Sequence, residues 1–261
     1  NYDTKEERLE HANEIRYGSG IATTEIKGGK MHTVYGGSNK RGNISTTALS
    51  IYESMYDDCP IDVDNSYGGS KDAEIDAAID MRLQCAKGVK EMFGGSMNSD
   101  VNSDINLTIT NGSSLERVFG GNNTSGAING SITVNIEEGG CEPIHIVDLY
   151  VGGYLAPYSV YGYEKNEDGT YKTEQVPYLD ENDVTKYQEQ RIPLTSGNNP
   201  KHDPVINVIS ATRIDNIYGG GYQAKIVGNS HVNVNMTNGK VEVENKGTDQ
   251  SPSWQDVNGV T

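Results

Sequence analysis

A glycine doublet preceded by an apolar or aromatic residue recurs along this chain, and its spacing restricts the fold more than any other feature. It reads VYGG at 34–37, SYGG at 66–69, MFGG at 92–95, VFGG at 118–121, YVGG at 150–153 and IYGG at 217–220. The first glycines of the doublets, Gly36, Gly68, Gly94, Gly120, Gly152 and Gly219, are separated by steps of 32, 26, 26, 32 and 67 residues. A period near 26 that tolerates insertions marks a repeat architecture, in which each unit stacks on its neighbour and added residues go to loops.

Other residues keep the same register. Ile79, Met81, Leu83, Val89, Met92 and Phe93 are matched 26 residues later by Ile105, Leu107, Ile109, Leu115, Val118 and Phe119. Ile132, Val134 and Ile136 repeat the first trio, as do Val232, Val234 and Met236. The residues five before each doublet, Met31, Val63, Val89, Leu115, Val147 and Ile214, are all apolar and are expected to point inward. Apolar residues alternate with polar ones in stretches such as Ile105–Thr110, which is the period of a strand with one buried face. Pairs such as Asn111-Gly112 and Gly139-Gly140 break these strands.

Three short strands and their turns account for one unit, so each unit makes one coil with neighbours about 4.8 Å apart. The expected fold class is all-β: a single-domain parallel β-helix, or solenoid, right-handed because parallel crossovers strongly prefer that hand. The glycines are expected to supply positive φ at a shared corner. Tyr35, Tyr67, Phe93, Phe119 and Tyr218 should then stack in a ladder that Val151 interrupts. In TKEERLEHANEI (4–15), Thr4 and Glu7 form a capping box and Leu9, Ala12 and Ile15 share a face, which predicts a short helix. The organisation read from this is a helical cap or linker at 1–19, a repeat domain at 20–245 with a long loop insertion at 154–205, and a tail or partial coil at 246–261.

Composition narrows the partners. The formal charge is −16, which disfavours nucleic acid and anionic membrane surfaces. No stretch approaches the roughly 18 apolar residues of a membrane-spanning helix, so no membrane insertion is expected. Apolar residues make up only 34% of the chain but are spread evenly, which argues against disorder.

Seven of the sixteen tyrosines fall in the insertion. Tyr158, Tyr161, Tyr163, Tyr171 and Tyr178 are candidate ligand-binding rings, because a sugar offers an apolar face with a hydroxyl rim; packing of these tyrosines on the flank is the alternative. Asp57, Asp58, Asp62 and Asp64 cluster as hard oxygen donors suited to calcium, against the alternative of a solvated acidic turn; no other cofactor is expected. Cys59 and Cys85 each lie nine residues before a doublet and should sit on adjacent coils, as a disulfide or as two reduced thiols, while Cys141 has no partner in that register. Lys201-His202-Asp203 suits acid–base chemistry only within a cleft, and a surface turn is the alternative. Outward Asn106, Thr108, Thr110, Thr133, Asn135, Asn233 and Asn235 form polar rows that suit either polysaccharide binding or simple solubility. No HExxH, GxSxG, phosphate-loop or CxxC motif is present.

The segment IYGGGYQAKIVGNSHVNVNM (217–236) resembles the glycine-rich parallel β-helix repeats of large surface proteins from gut bacteria of the Bacteroides–Prevotella group, and VGGYLAPYSVYGY (151–163) is similar to a segment that follows a glycine corner in them. The resemblance spans about residues 20–245 and implies an extracellular or cell-surface setting. The expected function is a non-catalytic adhesin or glycan-binding solenoid whose partner is a polysaccharide or surface glycan. One alternative is a polysaccharide lyase or glycoside hydrolase using Asp57, Asp58, Asp62 and Asp64 with Lys71 or Arg82. The other is a structural stalk.

Overall fold

In the computed structural model, which describes residues 21–42, 44–53, 59–141, 143–234, 243–245 and 254–256, the alternating segments become strands of two parallel sheets. The first sheet contains, in spatial order, β1 (Ile21–Ile26), β3 (Thr46–Tyr52), β5 (Ile79–Gln84), β7 (Ile105–Ile109), β9 (Ile132–Glu137), β14 (Val205–Ser210) and β17 (His231–Val234). The second runs β2 (Gly29–Tyr35), β4 (Ile61–Tyr67), β6 (Gly88–Phe93), β8 (Gly112–Phe119), β10 (Ile144–Tyr150) and β15 (Arg213–Tyr218). The chain alternates between the sheets, so each excursion lays one strand on each beside its predecessor. A third side is traced by parallel bridges joining Ile44, Ile75, Val101 and Ile128, and by β11 (Tyr158–Ser159) beside β16 (Ile226–Val227). The topology is consistent with a parallel β-solenoid.

The predicted register is observed. Ile79, Met81 and Leu83 pair with Ile105, Leu107 and Ile109, which pair in turn with Ile132, Val134 and Ile136. All nine are fully buried between the sheets. Val147 departs from expectation: the pairing of β10 with β8 slips between Ile144 and Ile146, so Ile146 faces inward beside Leu115 while Val147 is exposed. The expected helix at 4–15, and the cap at 1–19, lie outside the described residues. So does the expected tail at 246–261, apart from β19 (Trp254–Asp256), which pairs antiparallel with β18 (Val243–Asn245).

The glycine doublets are not at positive φ. Among the described glycines that conformation is found at Gly29, Gly42, Gly126, Gly162, Gly169 and Gly228, none of them in one of the six corner doublets. From Gly36-Gly37 to Gly152-Gly153 the doublets are glycine because adjacent coils touch there, whereas a Cβ on Gly220 would meet nothing within 4 Å. A Cβ on Gly94 would lie 2.6 Å from the Gly120 carbonyl oxygen and 2.8 Å from Ile105 Cγ2, and one on Gly120 would lie 2.5 Å from the Val151 carbonyl oxygen. At the second glycines the space is taken by a polar side chain from the next coil: Ser70 at Gly37, Ser96 at Gly69 and Asn122 at Gly95. Each of these accepts a backbone N–H from the coil before it. Ser38 N donates to Ser70 Oγ at 2.9 Å, Ser70 N to Ser96 Oγ at 3.1 Å and Ser96 N to Asn122 Oδ1 at 2.8 Å. The three side chains are fully buried, so this ladder satisfies backbone groups that water cannot reach.

The aromatic ladder is unbroken. Tyr35, Tyr67, Phe93, Phe119, Tyr150 and Tyr218 stack with ring centroids 4.9, 4.8, 4.8, 4.8 and 4.5 Å apart. Tyr150 supplies the rung that Val151 was expected to interrupt. Gly120 N bonds to the Tyr150 carbonyl and Gly121 N to the Gly152 carbonyl, so Val151 occupies the place of a first glycine and the doublet is offset by one residue.

Cys85 is bonded to Cys141, with Cα atoms 5.5 Å apart, and Cys59 is a free, exposed thiol. The connection from β9 to β10 is longer than that from β7 to β8, which lets Cys141 fold back across the intervening coil at buried Asn111 to reach Cys85. The stretch at 154–205 carries regular structure of its own. Residues 154–160 belong to the regular corner, with Tyr158 N donating to the Lys225 carbonyl at 2.9 Å. The excursion closes where Lys201 N donates to the Val160 carbonyl at 2.8 Å, and it contains an antiparallel hairpin of β12 (Thr173–Leu179) and β13 (Thr185–Arg191).

Candidate functional site

The five nominated tyrosines separate by depth. Tyr158 and Tyr163 are buried; Tyr158 donates its hydroxyl to the Gly130 carbonyl at 3.0 Å and Tyr163 to the Pro157 carbonyl at 2.9 Å. Burial closes both rings off from solvent. Tyr161 packs against the core, and Tyr171 lies edge-on to Tyr163 with Lys165 and Arg191 over its ring. Tyr178 sits on the hairpin, paired across it with Lys186.

Of the nominated calcium group, the structure describes Asp62 and Asp64. Asp57 and Asp58 lie outside the described residues. Asp62 and Asp64 alternate on the outer face of β4, where Lys30 is 3.1 Å from Asp62, and His32 and Lys90 are 2.9 and 2.5 Å from Asp64. The hydrogen bond from Lys90, followed by that from His32, holds the Asp64 carboxyl below its usual range. Among the described residues no three potential ligands converge. Arg82, nominated as a lyase base, pairs with Asp80 at 3.0 Å on β5, in the other sheet, and so does not share a face with Asp62 and Asp64.

Lys201, His202 and Asp203 also part company. His202 contributes its carbonyl to Ser131 Oγ, and Asp203 pairs with His231 at 3.1 Å. Lys201 is drawn inward, its ammonium donating to the Ile128 carbonyl at 2.8 Å and the Ser159 carbonyl at 3.3 Å, with the rings of Tyr158 and Tyr163 each 5.7 Å away. Burial lowers its pKa to about 8. With no carboxylate of the described residues within ion-pair range, this lysine anchors the end of the excursion.

The geometry gathers different side chains. Tyr154 and Tyr222 each follow the last glycine of a corner, in GGYLA and GGYQA, and their rings stack at 4.9 Å. They meet Phe119 and Tyr150 edge-on, forming a second aromatic row beside the ladder. Tyr222 is 44% exposed and Tyr218, the terminal rung, 40%. Arg117 lies over the Tyr154 ring at 5.4 Å while donating to Glu91, and on the next row Asn216 donates to Asp148 at 2.9 Å. Exposed ring faces thus stand beside planar polar groups held in fixed orientation. The matched GGY-x-A segments carried this signal in the sequence.

The next residues along the same two segments, Leu155 and Gln223, line a cleft of about 100 Å³ beneath the hairpin. Leu155, Pro157, Val176 and Pro193 make it apolar, and Glu174, Arg191 and Lys225 contribute charge. Gln190, also in its wall, is buried; its amide donates to the Thr124 carbonyl at 2.7 Å while Oε1 has no hydrogen-bond partner among the described residues. The hairpin is held over the cleft by that bond, by Arg191 with Asp100 at 3.3 Å, and by the Gln223 amide, which both donates to and accepts from the backbone of Leu179.

On the outer face of the first sheet, Asn207 donates to Asn135 at 3.0 Å and Asn233 to Asn207 at 2.9 Å, so this polar row is hydrogen-bonded to itself. No family model matches the chain, and no curated protein or solved structure does so either.

Proposed function

We propose that the two sheets are faces of one right-handed parallel β-solenoid, and that it serves as a non-catalytic, glycan-binding module of an extracellular or cell-surface protein. The observation that carries the reading is the paired platform of Tyr154 and Tyr222 with Tyr218, flanked by Arg117–Glu91 and continuous with the cleft under the hairpin. An exposed tyrosine face meets the apolar face of a sugar ring, and oriented carboxylate, guanidinium and amide groups beside it answer the hydroxyl rim. The disulfide supports an oxidising, exported setting. The resemblance to surface repeats of gut bacteria points the same way.

Titration with neutral and acidic polysaccharides, with parallel assays for new reducing ends and unsaturated products, tests this. The reading expects binding without product, weakened at least fivefold by Tyr222→Ala at unchanged thermal stability. No binding to any polysaccharide, or binding indifferent to Tyr218→Ala and Tyr222→Ala together, rejects it. The unbroken aromatic ladder favours a second reading, a stiff spacer in a longer surface protein, which predicts silence in all of these assays.

A further inference from the structure

The hairpin of β12 and β13 has two edges, and toward its turn only the β12 edge is guarded. Lys172 and Ile192 are hydrogen-bonded across its base, with Ile192 N donating to the Lys172 carbonyl at 3.1 Å, and Asp180 N donates to the Val184 carbonyl at 3.0 Å across the turn. Antiparallel pairs alternate between bonded and non-bonded, so the even-numbered pairs face each other and the pairs Pro177–Tyr187 and Leu179–Thr185 are non-bonded. The backbone groups of those residues therefore point away from the hairpin. On the β12 edge the half next to the turn is blunted: Pro177 has no N–H, and the Gln223 amide satisfies both the N–H and the carbonyl of Leu179 at 2.8 and 2.9 Å, while Gln175 and Thr173, toward the base, also face outward. On the β13 edge, Thr185 and Tyr187 make no backbone hydrogen bond to any described residue. Tyr187 is also 67% exposed, the most exposed large apolar side chain of the hairpin.

Bare edges invite strand pairing, and folded proteins usually blunt them. Here the turn half of one edge is blunted and the facing half of the other is left open beneath an exposed aromatic ring. We propose that the open edge of β13 is a docking strand for an extended segment of a partner protein, in which basic residues flank an apolar one at alternate positions. The apolar residue would lie against Tyr187. The basic residues answer the charge around it: Glu181, Asp183 and Glu189 are exposed and carry no ion-pair partner among the described residues, whereas Lys186 is 3.8 Å from Asp180. The chain's charge of −16 disfavours a second copy of itself at the same edge.

The test titrates the full isotope-labelled chain with a short capped peptide alternating threonine with lysine, valine and lysine, up to about 1 mM, a range suited to a single added strand. The expected result is a shift and slowed exchange of the Thr185, Tyr187 and Glu189 amides. Glu189→Lys, an exposed change that leaves the hairpin bonds intact, should weaken binding roughly fivefold by replacing an attractive cross-strand pair with a repulsive one. The same peptide methylated on alternate backbone amides should not bind. Unmoved edge amides, or equal binding by the methylated peptide, overturns the proposal. Edge-amide shifts that depend on protein concentration alone, with a dimer in sedimentation, also overturn it and assign the edge to a second copy.

Discussion

Replacing Gly94 with alanine, and separately with asparagine, distinguishes two reasons for a glycine at the corner. If the doublets served a left-handed backbone, asparagine would be the best-tolerated substitute, since it visits that region more readily than other residues. The structure assigns a different reason. An added Cβ sits 2.6 Å from the Gly120 carbonyl oxygen and 2.8 Å from Ile105 Cγ2, in a coil fixed on both sides. Relief requires the two coils to part by several tenths of an ångström, which stretches the bond from Gly94 N to the Phe119 carbonyl, now 2.8 Å. Overpacking of this kind costs about 1–3 kcal/mol and a weakened buried hydrogen bond about 1 more. The reduced freedom of the unfolded chain returns roughly 0.5–1 kcal/mol. Gly94→Ala should therefore lose about 1–3.5 kcal/mol and Gly94→Asn more, read from urea unfolding by far-ultraviolet circular dichroism. Gly169, at φ 86 with nothing within 4 Å of its would-be Cβ, is the control, and Gly169→Asn should be nearly neutral. Equal tolerance of asparagine at positions 94 and 169 would refute the close-contact account.

Lys201, whose pKa falls to about 8 on burial, predicts a rise of stability with pH. Between about pH 8 and 10.5 the unfolded lysine holds a proton that the folded one has lost, so unfolding becomes harder across that window. The gain should be of the order of 1–3 kcal/mol, reduced because two carbonyls and two rings favour the ammonium, and Lys201→Met should abolish it. Burial raises Tyr67 and Tyr150 to about 12, so above pH 10 the unfolded tyrosines lose protons first and stability should turn down again; a curve flat from pH 7 to 11 would contradict both assignments. Replacing Cys85 and Cys141 together by serine removes a link of sequence separation 56 and should cost about 4 kcal/mol in the chain-entropy model, seen as a lower urea midpoint. Asn122→Ala strands the Ser96 N–H and the Ser99 carbonyl and should cost about 2–3 kcal/mol, whereas Asn122→Ser, which copies Ser70 and Ser96, should cost about half as much.

The strand pairing of Ile79, Ile105 and Ile132 was legible because a two-residue alternation and a near-constant step are local properties of a chain, and stacking like on like preserves both. The offset of the YVGG corner was not. Tyr150 completes the ladder only because a slip in β10 moves the ring into line, and a slip appears in pairing, never in spacing. Lys201 gave no outward sign of burial, since its depth depends on Tyr158 and Tyr163 closing over it from a distant stretch. The platform at Tyr154 and Tyr222 was written in two matched GGY-x-A segments, yet a repeat alone says nothing about which rings stay open to solvent.

From its order of residues alone this chain determined that it would be all-β, with apolar rows meeting in parallel at intervals near 26 residues. Tertiary contact decided the rest: that the doublet glycines answer a neighbouring carbonyl rather than a backbone angle, that Cys141 reaches Cys85, and that one edge of the hairpin is left bare. The physical reason is range. Alternation and period are set by neighbours in the chain, whereas clearance, burial and partner choice are set by atoms whose only connection is that the fold has brought them together.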